Sequence, residues 1–99
     1  MGLKLNKQMK KIDFRKIELK DIEGKVTPYD ISKELGNDIY NKTADIGELE
    51  LARELYLQGD IEVDAIKAEI LKKYVSEGYK AFVKECLIPV LDEIINLKK

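Results

Sequence analysis

Residues 64–97, DAIKAEILKKYVSEGYKAFVKECLIPVLDEIINL, decide how the rest of the chain is read. Leu71, Val75, Tyr79, Phe82, Cys86, Val90, Ile94 and Leu97 follow one another at steps of three or four, the spacing of one helix face. Val83, Leu87, Leu91 and Ile95 widen that face. The phase passes Gly78 and Pro89 without a shift. A glycine costs a helix interior about 1 kcal/mol, and a proline about 3 kcal/mol or more because it lacks the N–H and clashes with the preceding turn. The pattern predicts one long helix over 64–97, kinked or broken near Pro89.

Upstream the periodicity changes. Residues 12–31 alternate at short period, with Ile12 and Phe14 on one face and Ile17 and Leu19 on one face after a one-residue slip. Glu23-Gly24-Lys25 supplies a turn before Val26–Ile31, so this stretch reads as a β-hairpin, anchored by Phe14, Ile17 and Val26. Pro28 cannot donate to a ladder, which makes the second strand an edge or breaks it. From Ser32 the spacing is helical: Ile31, Leu35, Ile39 and Tyr40 form one face, with Asp30 or Ser32 as N-cap. Asp45-Ile46-Gly47-Glu48 has capping-box spacing with Asp45 in the cap role, and Ile46, Leu49, Ala52 and Tyr56 continue a second helix that Gly59 ends. Asp60–Asp64 alternates as a small third strand would. The chain is therefore expected to be an α+β domain, mostly α: a hairpin packed on two short helices and one long C-terminal helix.

A length of 99 residues suits a single domain, and 44% hydrophobic with 37% charged residues suits a core under a well-solvated surface. Residues 1–11 are expected to be a flexible basic tail, of which 1–8 could be a non-native extension because Met9 reads as a natural start; the domain then covers 12–99. No apolar run reaches the roughly 20 residues needed to cross a bilayer, and no secretory leader pattern opens the chain. With a lone cysteine, Cys86, an internal disulfide is impossible, and the expectation is a cytoplasmic protein. Residues 1–20 hold seven basic residues (Lys4, Lys7, Lys10, Lys11, Arg15, Lys16, Lys20) against two acids. Residues 30–64 hold ten acids against Lys33, Lys42 and Arg53. Solvated faces explain this asymmetry; the alternative is a basic arm on nucleic acid, which the acidic remainder would oppose.

The chain has no histidine, which removes the commonest general base and transition-metal ligand. Cys86 sits on the apolar stripe, where a thiol is structural, and one cysteine cannot build a thiolate cage. Asp60, Glu62 and Asp64 alternate as calcium-loop ligands do, but the loop's sixth and twelfth positions would be Ala65 and Leu71 in place of glycine and glutamate. The six glycines form no phosphate-cradling loop and are expected at turns and caps. No catalytic residue, cofactor site, metal site or small-molecule substrate is expected.

The run Asp30-Ile31-Ser32-Lys33-Glu34-Leu35-Gly36-Asn37, continued by Ile39-Tyr40, by Thr43 through Leu49 and by Tyr79-Lys80-Ala81-Phe82-Val83, resembles small uncharacterised phage and prophage proteins of bacteria. The resemblance covers Met9 to the end, concerns general layout and transfers no site residue. It implies a bacterial host cell as the setting and a role as an assembly factor, structural adaptor or host-modulating binder. Together these readings point to a non-enzymatic interaction or structural protein. A straight helix over 64–97 would run roughly 50 Å and overhang a domain whose radius of gyration should be near 13 Å. A second copy is expected to cover the overhang as a two-fold homodimer, with Tyr79, Phe82, Val83, Leu87 and Val90 at the centre.

Overall fold

The computed structural model describes residues 9–97, and the eight residues before them, including Lys4 and Lys7 of the expected tail, lie outside it. Four short strands and four helices follow in the order β1 Lys10–Asp13, β2 Ile17–Lys20, β3 Val26–Tyr29, α1 Ser32–Lys42, α2 Ile46–Leu57, β4 Asp60–Val63, α3 Ala65–Gly78 and α4 Ala81–Leu97. The α+β, mostly α character expected from periodicity is what the chain adopts. No helix is long and apolar enough, among the described residues, to cross a membrane.

The strands form two separate two-stranded antiparallel sheets, β1 with β4 and β2 with β3. What reads in sequence as a one-residue slip between Phe14 and Ile17 is a turn. Lys16 N–H donates to the Asp13 carbonyl at 3.1 Å, and Asp13 Oδ1 accepts from the Arg15 backbone N–H at 3.0 Å. The chain thus changes direction, and the hairpin is β2–β3 alone. Lys10 and Lys11 belong to β1, where they sit opposite Val63 and Glu62, rather than to a tail.

At the β2–β3 turn, Gly24 takes φ +87°, and Asp21 Oδ1 accepts from the backbone N–H groups of Glu23 and Lys25. Asp21 N–H donates to the Lys25 carbonyl, so the antiparallel alternation leaves Pro28, opposite Glu18, in a non-hydrogen-bonded pair. Its missing N–H is one that would have faced outward, which is why an edge strand accepts it. Ile17 and Leu19 point inward and are buried, whereas every residue of β3 is exposed. Val26, at 47% exposure, is therefore not an anchor of the hairpin.

Phe14 is the anchor. Its side chain is fully buried, its N–H donates to the Gly59 carbonyl at 2.8 Å, and its own carbonyl accepts from Ile31 N–H at 2.9 Å. One residue thereby joins the β1–β2 turn to the α2–β4 corner and to the start of α1. Gly59 takes φ +76°, as expected of a residue ending α2, and a Cβ there would lie 2.5 Å from Cγ of Arg15.

The long helix expected over 64–97 is two helices. α3 ends at Gly78, Tyr79 is extended at φ −123° and ψ 155°, and the Lys80 carbonyl accepts the first bonds of α4. The helices fold back antiparallel, as the contacts of Lys84 Nζ with the Ser76 carbonyl (3.2 Å) and of Lys72 Nζ with Asp92 (2.7 Å) show. Folding at 79–80 lets Ala68, Leu71 and Val75 of α3 share one core with Val83, Leu87, Leu91 and Ile94 of α4, which a straight helix could not do. Periodicity carries across the break because both halves need a stripe, not because the helix is continuous. Pro89 lies inside α4 on an exposed position, and the carbonyl four residues earlier, whose bond it forgoes, belongs to exposed Glu85. The overhang that motivated a covering second copy does not exist.

Phe14→Ala removes a fully buried ring at a three-way junction and should destabilise by about 3–5 kcal/mol in urea denaturation. Val26→Ala, on the exposed strand, should change stability by less than about 0.5 kcal/mol. Equal effects would show that the β2–β3 sheet, not Phe14, holds the N-terminal region.

Candidate functional site

Helices α1 and α2 form a tight antiparallel pair joined by Thr43, Ala44 and Asp45. The joint is built from short-range polar chemistry. Asp45 caps α2 by accepting Glu48 N–H on Oδ2 at 2.9 Å, and its own N–H donates to Thr43 Oγ1 at 2.9 Å. Glu48 does not close the reciprocal half of a capping box. Its Oε1 instead accepts from Thr43 Oγ1–H and from the Tyr74 hydroxyl, each at 2.8 Å, while Lys73 Nζ stands 3.5 Å from Oε2. Those hydrogen bonds, led by Thr43 and then Tyr74, hold the Glu48 carboxyl below the ordinary carboxylate range; burial, then the bond to Glu48, pushes the Tyr74 phenol up. This cluster clips the α1–α2 joint to α3. At the other end of α1 neither expected N-cap holds the position: Ile31 occupies it, and Asp30 Oδ1, one residue earlier, accepts from both the N–H and the hydroxyl of Ser32.

The close approach of the two helices depends on Gly36. A Cβ at that position would lie 2.9 Å from the Ala52 carbonyl and 3.2 Å from Tyr56 N, closer than side-chain carbons sit. Gly36 is thus a packing residue within a helix rather than a turn or cap. Where these small residues meet, the outer surface is depressed into an open groove of about 320 Å³ lined by Gly36, Asn37, Tyr40, Ala52, Arg53, Tyr56 and Leu57. Tyr40 is 48% exposed, Tyr56 42% and Leu57 79%. Lys33 places its ammonium 5.6 Å from the Tyr56 ring centroid, a cation–π contact between the helices.

Tyr40, Ile46 and Tyr56, expected on core faces, are exposed; the residues that α2 buries are Leu51, Ala52 and Leu55. Two apolar phases run along α2, and only one can face the core. The signal that could have located the groove is that doubling, together with a glycine in mid-helix opposite an alanine.

The five residues expected at the centre of a C-terminal interface are divided. Val83 and Leu87 are buried in the chain's own core, Tyr79 and Val90 are partly buried against it, and Phe82 remains 42% exposed. The side chain of Leu97, the last member of that stripe, lies outside the described residues. The Tyr79 hydroxyl is buried without a hydrogen-bond partner, and burial, aided by the charges of Glu34 and Asp38, pushes its pKa up. Cys86 is half-buried at the α4 surface. Among the described residues no cluster of three His, Cys, Asp or Glu side chains could hold a metal ion; Asp60 and Glu62 lie along β4, and Asp64 caps α3 through Lys67 N–H.

Of the basic residues near the N-terminus, Lys10 pairs with Glu93 at 3.3 Å, Lys11 with Asp60 at 3.9 Å and Arg15 with Asp13 at 3.0 Å. No family of known proteins, no curated protein and no solved structure matches the chain.

Because the folded pKa of Glu48 lies below its unfolded value of 4.5, the stability its charge contributes is present above that value and is lost as pH falls through the folded pKa. Glu48→Gln should therefore destabilise by about 1–2 kcal/mol at neutral pH, and the gap to the parent protein should narrow as the pH falls below the ordinary carboxylate range. Urea midpoints at neutral and at acid pH check this, and a gap independent of pH would remove the charge from the account.

Proposed function

We propose that this chain is a small non-enzymatic interaction protein of phage or prophage origin, acting in the cytoplasm of a bacterial host through protein–protein contact at the α1–α2 groove. The observation that carries the reading is the groove itself: two half-exposed tyrosines, an arginine and an exposed leucine around a floor of glycine and alanine. Tyrosine and arginine are over-represented among residues that dominate binding energy, and a concave seat between them lets water be excluded from an inserted side chain. The phage setting is supported by the layout resemblance alone, and the cytoplasmic one by the lone cysteine. A nucleic-acid arm has less support, since Lys10, Lys11 and Arg15 each face a carboxylate.

Self-association through the α4 side is a second reading, favoured by one observation. Phe82 is 42% exposed, and across from this helix the hairpin adds Ile22 and Val26, which line a shared depression with Cys86. Exposed apolar area of this kind is commonly covered by a partner.

Capture from host lysate by the tagged full chain should yield a specific protein whose recovery falls about tenfold or more with Tyr56→Ala or Leu57→Glu and is unchanged with Ile66→Glu, an equally solvent-facing control on α3. Equal recovery by all variants, with the fold confirmed by circular dichroism, would move the function away from the groove. Light scattering tests the second reading: a dimer that Phe82→Glu converts to folded monomers supports it, and a monomer in both cases ends it.

A further inference from the structure

The α1–α2 region is acidic, yet its groove is not. Ten acids and only three basic residues lie between positions 30 and 64, but none of the ten acids is among the seven residues lining the groove. Two of the three basic residues are at it: Arg53 in the lining and Lys33 over the Tyr56 ring. Three of the acids of these helices are directed elsewhere, Asp38 to Lys42, Glu48 to Thr43 and Tyr74, and Glu54 to Lys67. Glu50 meets Arg53 at 3.1 Å, but with both side chains half-exposed or more that pair is weak and exchangeable. A groove that collects cations from an acidic surface is complementary in charge to an anionic occupant, and its apolar floor and tyrosine walls are complementary to an apolar side chain.

Resting on the proposed function, we infer that the groove recognises an acidic amphipathic segment of another protein. Apolar side chains of that segment are seated between Tyr40 and Tyr56, and flanking carboxylates meet Arg53 and Lys33. The volume of about 320 Å³ is small for a ligand pocket and has room for a few side chains, so the segment docks by its anchors rather than by burial of its backbone. Arg53 can take a carboxylate in two parallel N–H···O bonds, while Lys33 is already oriented by the aromatic face beneath it.

A library of random 16-residue peptides displayed on phage and selected on the immobilised full chain tests this, with enriched peptides then resynthesised for fluorescence polarisation. The expected result is enrichment of sequences with an aromatic or large aliphatic anchor flanked by Asp or Glu. Their affinity should fall about tenfold or more with Leu57→Glu or Tyr40→Ala. It should also fall about tenfold with Lys33→Glu combined with Arg53→Glu, and decline with added salt. Enriched peptides that lack acids, or that bind the charge-reversed variant equally well, would overturn the acidic partner while leaving the groove as a docking site. Absence of enrichment, or binding indifferent to both Leu57→Glu and Tyr40→Ala, would overturn the groove reading as well. A dimer in light scattering that Leu57→Glu splits into folded monomers would name a second copy as the occupant and overturn the inference.

Discussion

Two hydrogen bonds and one ring at Phe14 hold together three segments far apart in the sequence. The N–H reaches the corner after α2, the carbonyl reaches the residue before α1, and the ring fills the space between them. Each strand is only four residues long and each sheet has only two strands, too little for either to stand alone in water. Their stability is therefore borrowed from the helices, through the junction at Phe14 and through the packing of β2 on α4. Gly59 is part of the same constraint, because its positive φ turns its carbonyl toward Phe14 and its missing Cβ leaves the space that Arg15 occupies.

The helices divide the remaining work. α3 and α4 bury more apolar side chains than α1 and α2, which pack as a second pair clipped to α3 through Glu48 and Tyr74. A mid-helix glycine against an alanine lets α1 and α2 approach more closely than ordinary side chains allow, and it leaves the outward side of the contact concave. The groove is in that sense a by-product of close packing that the flanking tyrosines make chemically distinctive.

Fold class and most element types were legible because they depend on local period and on caps: Asp45, Asp64 and Gly59 act where their chemistry says they should. The break at Tyr79 was not legible, since both halves of a helical hairpin need an apolar stripe and the two stripes happen to join in phase across a two-residue connection. Pro89 was misleading for a related reason. A proline's cost falls on one carbonyl, and where that carbonyl faces solvent the helix continues. The α2 faces could not be ranked from sequence because two apolar phases compete on one helix, and only the position of α1, set by Gly36, decides which one is covered. The expected interface failed at Val83 and Leu87 on the same ground: a wide stripe says how much must be covered, not by what.

The pairing of β1 with β4 joins residues 10–13 to residues 60–63, and β2 packs on α4 across a longer separation still, whereas β2 with β3, α1 with α2 and α3 with α4 are each neighbours along the chain. The neighbouring pairs can close in microseconds, but the β1–β4 ladder must wait for a loop of about fifty residues to bring its ends together. Folding is accordingly paced by long-range events, the β1–β4 ladder and the docking of β2 on α4, among fast local ones. The same asymmetry orders the openings of the native state. β1 is an edge of a two-stranded sheet with mostly exposed side chains, and Ile12 is its one buried apolar residue. Amide exchange should therefore rank the β1 ladder among the earliest to open and the α3–α4 core among the last.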